Sequence, residues 1–144
     1  MEKNTRELID ILKNTNPSEL AQYESAYLAK TSMSFYRFID DIIKKKKLKR
    51  QDIILKANLP QKYGYKLLSG ETHTTDRNKI LKLCFSMQMT LVEAQTALKL
   101  YGMSELYPKI KRDAMLIIAF NNKIFWIDDI NEWLIQQGEE PLEE

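Results

Sequence analysis

The stretch LKRQDIILKANLPQKYGYKLLSG (residues 48–70) decides how this chain is read. Leu48 to Ala57 reads as a short helix. Asn58-Leu59-Pro60 breaks it. Asn tolerates the left-handed backbone of a tight turn better than most residues, and Pro cannot continue a helix that needs its N–H. Gln61 to Leu68 then reads as a second short helix, stopped by Ser69-Gly70.

The segments on either side are also helical. Phe35, Phe38, Ile39, Ile42 and Ile43 recur at i, i+3, i+4, i+7 and i+8, one apolar stripe, and Ser34 to Lys46 is expected as a helix closed by Lys44 to Lys47. Before it come a helix over Thr5–Lys13 and another from Pro17 to about Lys30, capped by Asn16 with Glu19 three residues on. Thr31-Ser32-Met33-Ser34 reads as a connection. After the central stretch, Thr75 is expected to cap a helix from Asp76 to about Met87. A further helix runs from about Thr90 to Tyr101 and stops at Gly102. Pro108 is expected to open a helix whose body, Ala114 to Phe120, is apolar nearly all round and so deeply buried. Ile127 to Gln137 forms the last helix, and Glu139 to Glu144 is an acidic tail.

Composition bounds the fold class. In 144 residues there are four Gly and four Pro, and 44% of the chain is hydrophobic. That argues for an all-α chain with a core of its own and against a turn-rich β fold. No apolar run is long enough to span a membrane, and the polar Met1-Glu2-Lys3-Asn4 opening has no signal-peptide core, so a cytoplasmic protein is expected. Cys84, the single cysteine, lies in an apolar run and reads as a buried small hydrophobe. The net charge of +2 hides a segregation: Lys44 to Lys79 holds eleven Lys or Arg against three Asp or Glu, whereas the rest holds eleven against seventeen. A basic centre between acidic ends suits a polyanionic partner.

Two short helices about a tight turn, inside a group of five, are the helix-turn-helix pattern. The run from Phe35 to Leu100 resembles the Cro/C1 (XRE) family. Leu48 to Ile53 matches the first helix, Asn58-Leu59-Pro60 the turn, Tyr63 to Gly70 the recognition helix and its stop, and Asp76 to Leu83 the next helix. Tyr101-Gly102, Leu106-Tyr107-Pro108, Arg112-Asp113-Ala114 and Gly138 to Leu142 resemble a small bacterial subgroup with extra C-terminal helices. The resemblance implies a five-helix core over residues 34–102, an N-terminal helical arm over 1–33 and a C-terminal helical extension over 103–144. It implies a sequence-specific DNA-binding protein, a transcriptional regulator, with double-stranded DNA as partner. Gln61, Lys62, Tyr63 and Lys66 would face bases, and Lys46, Lys49 and Arg50 would face phosphates. Family members often bind as homodimers, for which Phe125, Trp126 and Trp133 offer a contact; equally, these aromatics complete the monomer core. Tyr63 and Tyr65 read as packing residues. Thr72, Thr74 and Thr75 form a cluster beside the recognition helix where phosphate would oppose DNA.

The chain departs from the family at Ile54, where a small residue is usual, at Asn58 in place of Gly, at Pro60 in place of a polar cap, at Tyr65, and at Gly64, which costs about 1 kcal/mol relative to Ala inside a helix. These departures motivate an alternative: a protein-interaction adaptor, or an antitoxin-like protein, that keeps the fold with weak DNA binding. No zinc set can be assembled from one Cys and one His, no phosphate-cradling Gly-rich loop is present, and Asp40-Asp41 and Asp128-Asp129 are neighbours whose side chains diverge. No metal, cofactor or enzymatic activity is expected.

Overall fold

The computed structural model describes residues 5–23 and 29–143. Those residues are all-α: α1 (Thr5–Lys13), a 3₁₀ turn at Pro17–Glu19, α2 (Leu20–Tyr23), α3 (Ala29–Lys46), α4 (Arg50–Lys56), α5 (Gln61–Ser69), α6 (Arg77–Ser86), α7 (Leu91–Leu100), α8 (Lys111–Asn121) and α9 (Ile127–Gln136). There is no strand among them. No helix among them is long and apolar enough to cross a membrane.

Before α3, Asn16 presents its N–H to the Glu19 carboxylate at 3.2 Å, as the spacing implies. The helix expected from Pro17 to Lys30 is seen only as far as Tyr23; Tyr27 and Leu28, two of its apolar positions, lie outside the described residues. The connection expected at Thr31–Ser34 is instead helical, because α3 runs unbroken from Ala29. Neither Gly nor Pro stands there, and Ser and Thr cost a helix interior only a few tenths of a kcal/mol each (roughly 0.5). The boundary drawn at residues 33 and 34 therefore falls inside a helix.

Six of the described helices end by one device. Lys47, Asn58, Gln88, Gly102, Lys123 and Gly138 adopt positive φ. The next residue then folds its N–H back to a carbonyl five positions earlier: Leu48 to Ile43, Leu59 to Ile54, Met89 to Cys84, Met103 to Leu98, Ile124 to Ala119, Glu139 to Leu134. The turn satisfies an orphan carbonyl and, where the following residue is apolar, can tuck it under the helix; Leu59 and Met89 are buried this way.

At the centre lies α6, with every residue from Ile80 to Ser86 buried. It packs against α4, α7 and α9. Phe85 stacks on Phe120 of α8 at 3.9 Å between ring centroids. One apolar cluster extends from Phe35 to Leu142 and includes Cys84, whose thiol burial pushes up to about 12. The C-terminal segment is bound to this core by polar contacts as well. Arg77 meets both carboxylate oxygens of Asp113, at 3.1 and 2.9 Å, and donates to the carbonyls of Ser104 and Glu105. Arg112 donates to Asn78 of α6 and to the carbonyls of Glu140 and Pro141.

Two starts differ from the sequence reading. Asp76, not Thr75, caps α6, its carboxylate accepting the Asn78 N–H at 2.9 Å. Pro108 does not open α8, which begins at Lys111; the buried Asp113 carboxylate takes the Tyr107 N–H at 2.9 Å and holds Pro108 in the preceding turn. α8 is also less enclosed than its composition implies, since Ile118 is exposed while Met115, Leu116, Ala119 and Phe120 are buried.

The approach of α4 and α5 turns on one pair. Gly64 is buried, and a Cβ placed on it would overlap Ile54 Cγ2 and stand 2.9 Å from Ile54 Cγ1. The small residue that lets two helices meet is therefore on α5, and the large one on α4. Ile54→Ala should cost about 2–5 kcal/mol by opening a cavity, and Gly64→Ala about 1–3 kcal/mol by overpacking despite its better helix propensity. Urea unfolding of the double variant should show a loss well below the sum of the two. Additive losses would mean that the pair does not set the helix spacing.

Candidate nucleic-acid interface

The pairing with α4 fixes which way α5 faces. At about 100° per residue, Gly64, Leu67 and Leu68 share one side, and all three are buried. Gln61, Lys62, Tyr65, Lys66 and Ser69 fall within an arc of about 140° on the other. All are exposed except Lys66, which is half-buried. The structure thus brings Gln61, Lys62 and Lys66 to one outward surface. Tyr65, read from the sequence as a packing residue, is 39% exposed and lies on that surface. Its signal was helical phase, four residues after Gln61. Tyr63 turns aside: it is half-buried against the core, with Lys79 Nζ 5.2 Å above its ring.

Pro60 precedes α5 with no side-chain acceptor for the first-turn amides. Asn58 holds φ 55° at the turn, and its Nδ2 donates to Asp128 of α9 at 3.2 Å. The acidic start of α9 is therefore close to the turn.

The remaining cations differ in availability. Lys49 is exposed immediately before α4. Arg50 pairs with Asp40 of α3, and both side chains stay about half exposed, so the pair is weak and separable. Lys46 is committed elsewhere. Its amine donates to the Gln88 carbonyl at 2.6 Å and to Glu93 at 2.9 Å, joining the end of α3 to the start of α7. Burial disfavours the Glu93 charge, but the Lys46 amine and the Thr90 N–H outweigh it and hold the carboxyl below its ordinary value of 4.5.

The loop after α5 is pinned rather than open. His73 stacks on Tyr101 with ring centroids 4.6 Å apart, and the Thr74 N–H donates to the Tyr101 hydroxyl at 3.0 Å. Thr74 is buried, its own hydroxyl accepting the Asp76 N–H. Of the threonine cluster read from the sequence, only Thr75 is fully exposed and Thr72 half so. Phe125 and Trp133 lie against the core, which leaves Trp126 as the open aromatic of that region.

No group of three or more His, Cys, Asp or Glu side chains that could hold a metal ion occurs among the described residues. No family model, curated protein or solved structure matches this chain.

The Lys46–Glu93 pair has a pH signature. Because folding lowers the Glu93 pKa, its stabilisation is complete above 4.5 and fades as pH falls through the folded value. Glu93→Gln keeps a side-chain acceptor at the helix start but loses the charge. Thermal melts between about pH 7 and pH 3 should show the variant less stable at neutral pH and converging with wild type in acid. A difference independent of pH would contradict this assignment.

Proposed function

We propose that this chain is a duplex-DNA-binding protein, a transcriptional regulator of Cro/C1 type, in which α3 to α7 form the five-helix core and α5 enters the major groove. The observation that carries the proposal is the outward arc of Gln61, Lys62 and Lys66 on a helix whose opposite side is locked to α4. A glutamine can pair with both adenine edge atoms, and a lysine can reach guanine or phosphate. Lys49 and Arg50, at the start of α4, are placed to meet phosphates, Arg50 by exchanging Asp40 for one. Lys46, held by Glu93 and the Gln88 carbonyl, is the weakest of the candidates. The uncapped amides at the start of α5 suit an anion as well. On this reading the protein acts in the cytoplasm, without catalysis, as a monomer or a homodimer; Trp126, Ile118 and Ile135 are exposed apolar side chains of the C-terminal helices that a second copy could cover.

A second reading, an adaptor that engages a protein instead of DNA, is favoured by different features of the same surface. Leu55 on α4 is 72% exposed and Tyr65 is open, while Asp128 brings negative charge to the turn. Apolar exposure beside the turn suits a protein partner better than a phosphate backbone.

Selection from a random DNA pool at near-physiological salt separates the two: an enriched motif supports the regulator, no enrichment the adaptor. With the selected duplex, Lys62→Ala combined with Lys66→Ala should weaken binding and lower the slope of log affinity against log salt by about two. Lys46→Ala should change the slope by much less. Equal slopes for wild type and the Lys62/Lys66 double variant would place the DNA surface elsewhere.

A further inference from the structure

We propose that a cleft away from α5, between the end of α3, the α6–α7 turn and the α8–α9 turn, binds a small amphipathic monoanion: a carboxylate on a short hydrocarbon or aromatic body. The cleft measures about 470 Å³, within the range of roughly 300–1,000 Å³ that small-molecule sites occupy. Met89 and Phe120 are buried behind it, and the half-exposed Leu48, Leu91 and Phe125 give an apolar body surface to cover. Thr90, Gln88 and Asn121 add polar groups along its border.

Charge selects the sign of the ligand. Two cations border the cleft, Lys46 and Lys123. The Lys46 charge is already matched by Glu93 at 2.9 Å. Lys123 is exposed and has no ion-pair partner among the described residues. The cleft therefore carries one uncompensated positive charge at the edge of an apolar basin, which favours one negative group and disfavours a cation.

The turns after α6 and α8 set Gln88 and Lys123 at positive φ, 54° and 56°, as Lys47 and Asn58 are set after α3 and α4. Both turn residues line the cleft. The inference is independent of the DNA reading, because none of the exposed α5 residues borders the cleft.

The test uses the full chain and two probes of equal length, octanoate and octylamine, titrated near neutral pH and followed by calorimetry and amide chemical shifts. Octanoate should bind saturably at one site, with shifts centred on Met89 to Leu91 and Asn121 to Phe125, and octylamine at least about tenfold more weakly. Lys123→Gln, at an exposed position, should weaken octanoate roughly tenfold, the loss expected for one charge-assisted hydrogen bond. Phe125→Ala, checked for folding by its thermal melt, should weaken both probes. Lack of saturation by octanoate, equal binding of the two probes, shifts centred elsewhere, or an octanoate affinity that Lys123→Gln leaves unchanged would overturn the proposal.

Discussion

Ile54 occupies the space that a side chain at position 64 would need, and the rest of the candidate surface depends on that contact. A glycine gives up helix propensity, yet here its missing Cβ lets α5 lie directly against a β-branched residue of α4. Helix phase does the rest. With Gly64, Leu67 and Leu68 facing inward, Gln61, Lys62, Tyr65 and Lys66 have no other direction than outward. The turn contributes as well: Asn58 at positive φ and the Leu59 N–H folded back to Ile54 close α4 on the residue that α5 packs against. The large residue on α4 and the glycine on α5 are thus halves of one arrangement.

The second constraint is the attachment of the C-terminal helices. Asp113 is buried, and a buried carboxylate without partners would be costly. Arg77 and the Tyr107 N–H supply them, so the start of α6 cannot separate from the start of α8 without stranding a charge. Arg112 extends the connection to the last residues of the chain, where Leu142 is buried. The Asn58–Asp128 contact then carries the influence of α9 to the turn beside the candidate surface. Such an arrangement makes the C-terminal segment a part of the module rather than an appendage.

What the sequence revealed follows the reach of each signal. Local patterns located the helices: the stripe from Phe35 to Ile43, the glycine and asparagine stops, the Asn16–Glu19 pair and the apolar setting of Cys84. Helical phase, a local property, brings Gln61, Lys62 and Lys66 to one face, whereas Tyr63, read together with them, packs against the core. The failures were of another kind. Thr31–Ser34 carries residues that suit both a cap and a helix interior, and no breaker decides between them. Thr74 looks like a polar loop residue until Tyr101, far along the chain, closes over it. Lys46 and Arg50 look alike as surface cations, but only Lys46 meets a carboxylate and a carbonyl from the α6–α7 region. Nor does the identity of Gly64 as the partner of Ile54 show in composition; it depends on a contact across the turn.

The proposed function requires that the exposed arc of α5 be the surface that meets a duplex. Titrating isotopically labelled protein with a short duplex carrying the selected motif, at low salt, tests it directly. Amide shifts should concentrate at Lys49, Arg50 and Gln61 to Ser69, with the α8–α9 turn unaffected. Shifts that spare α5, or that scatter evenly over the lysines of the surface, would contradict it.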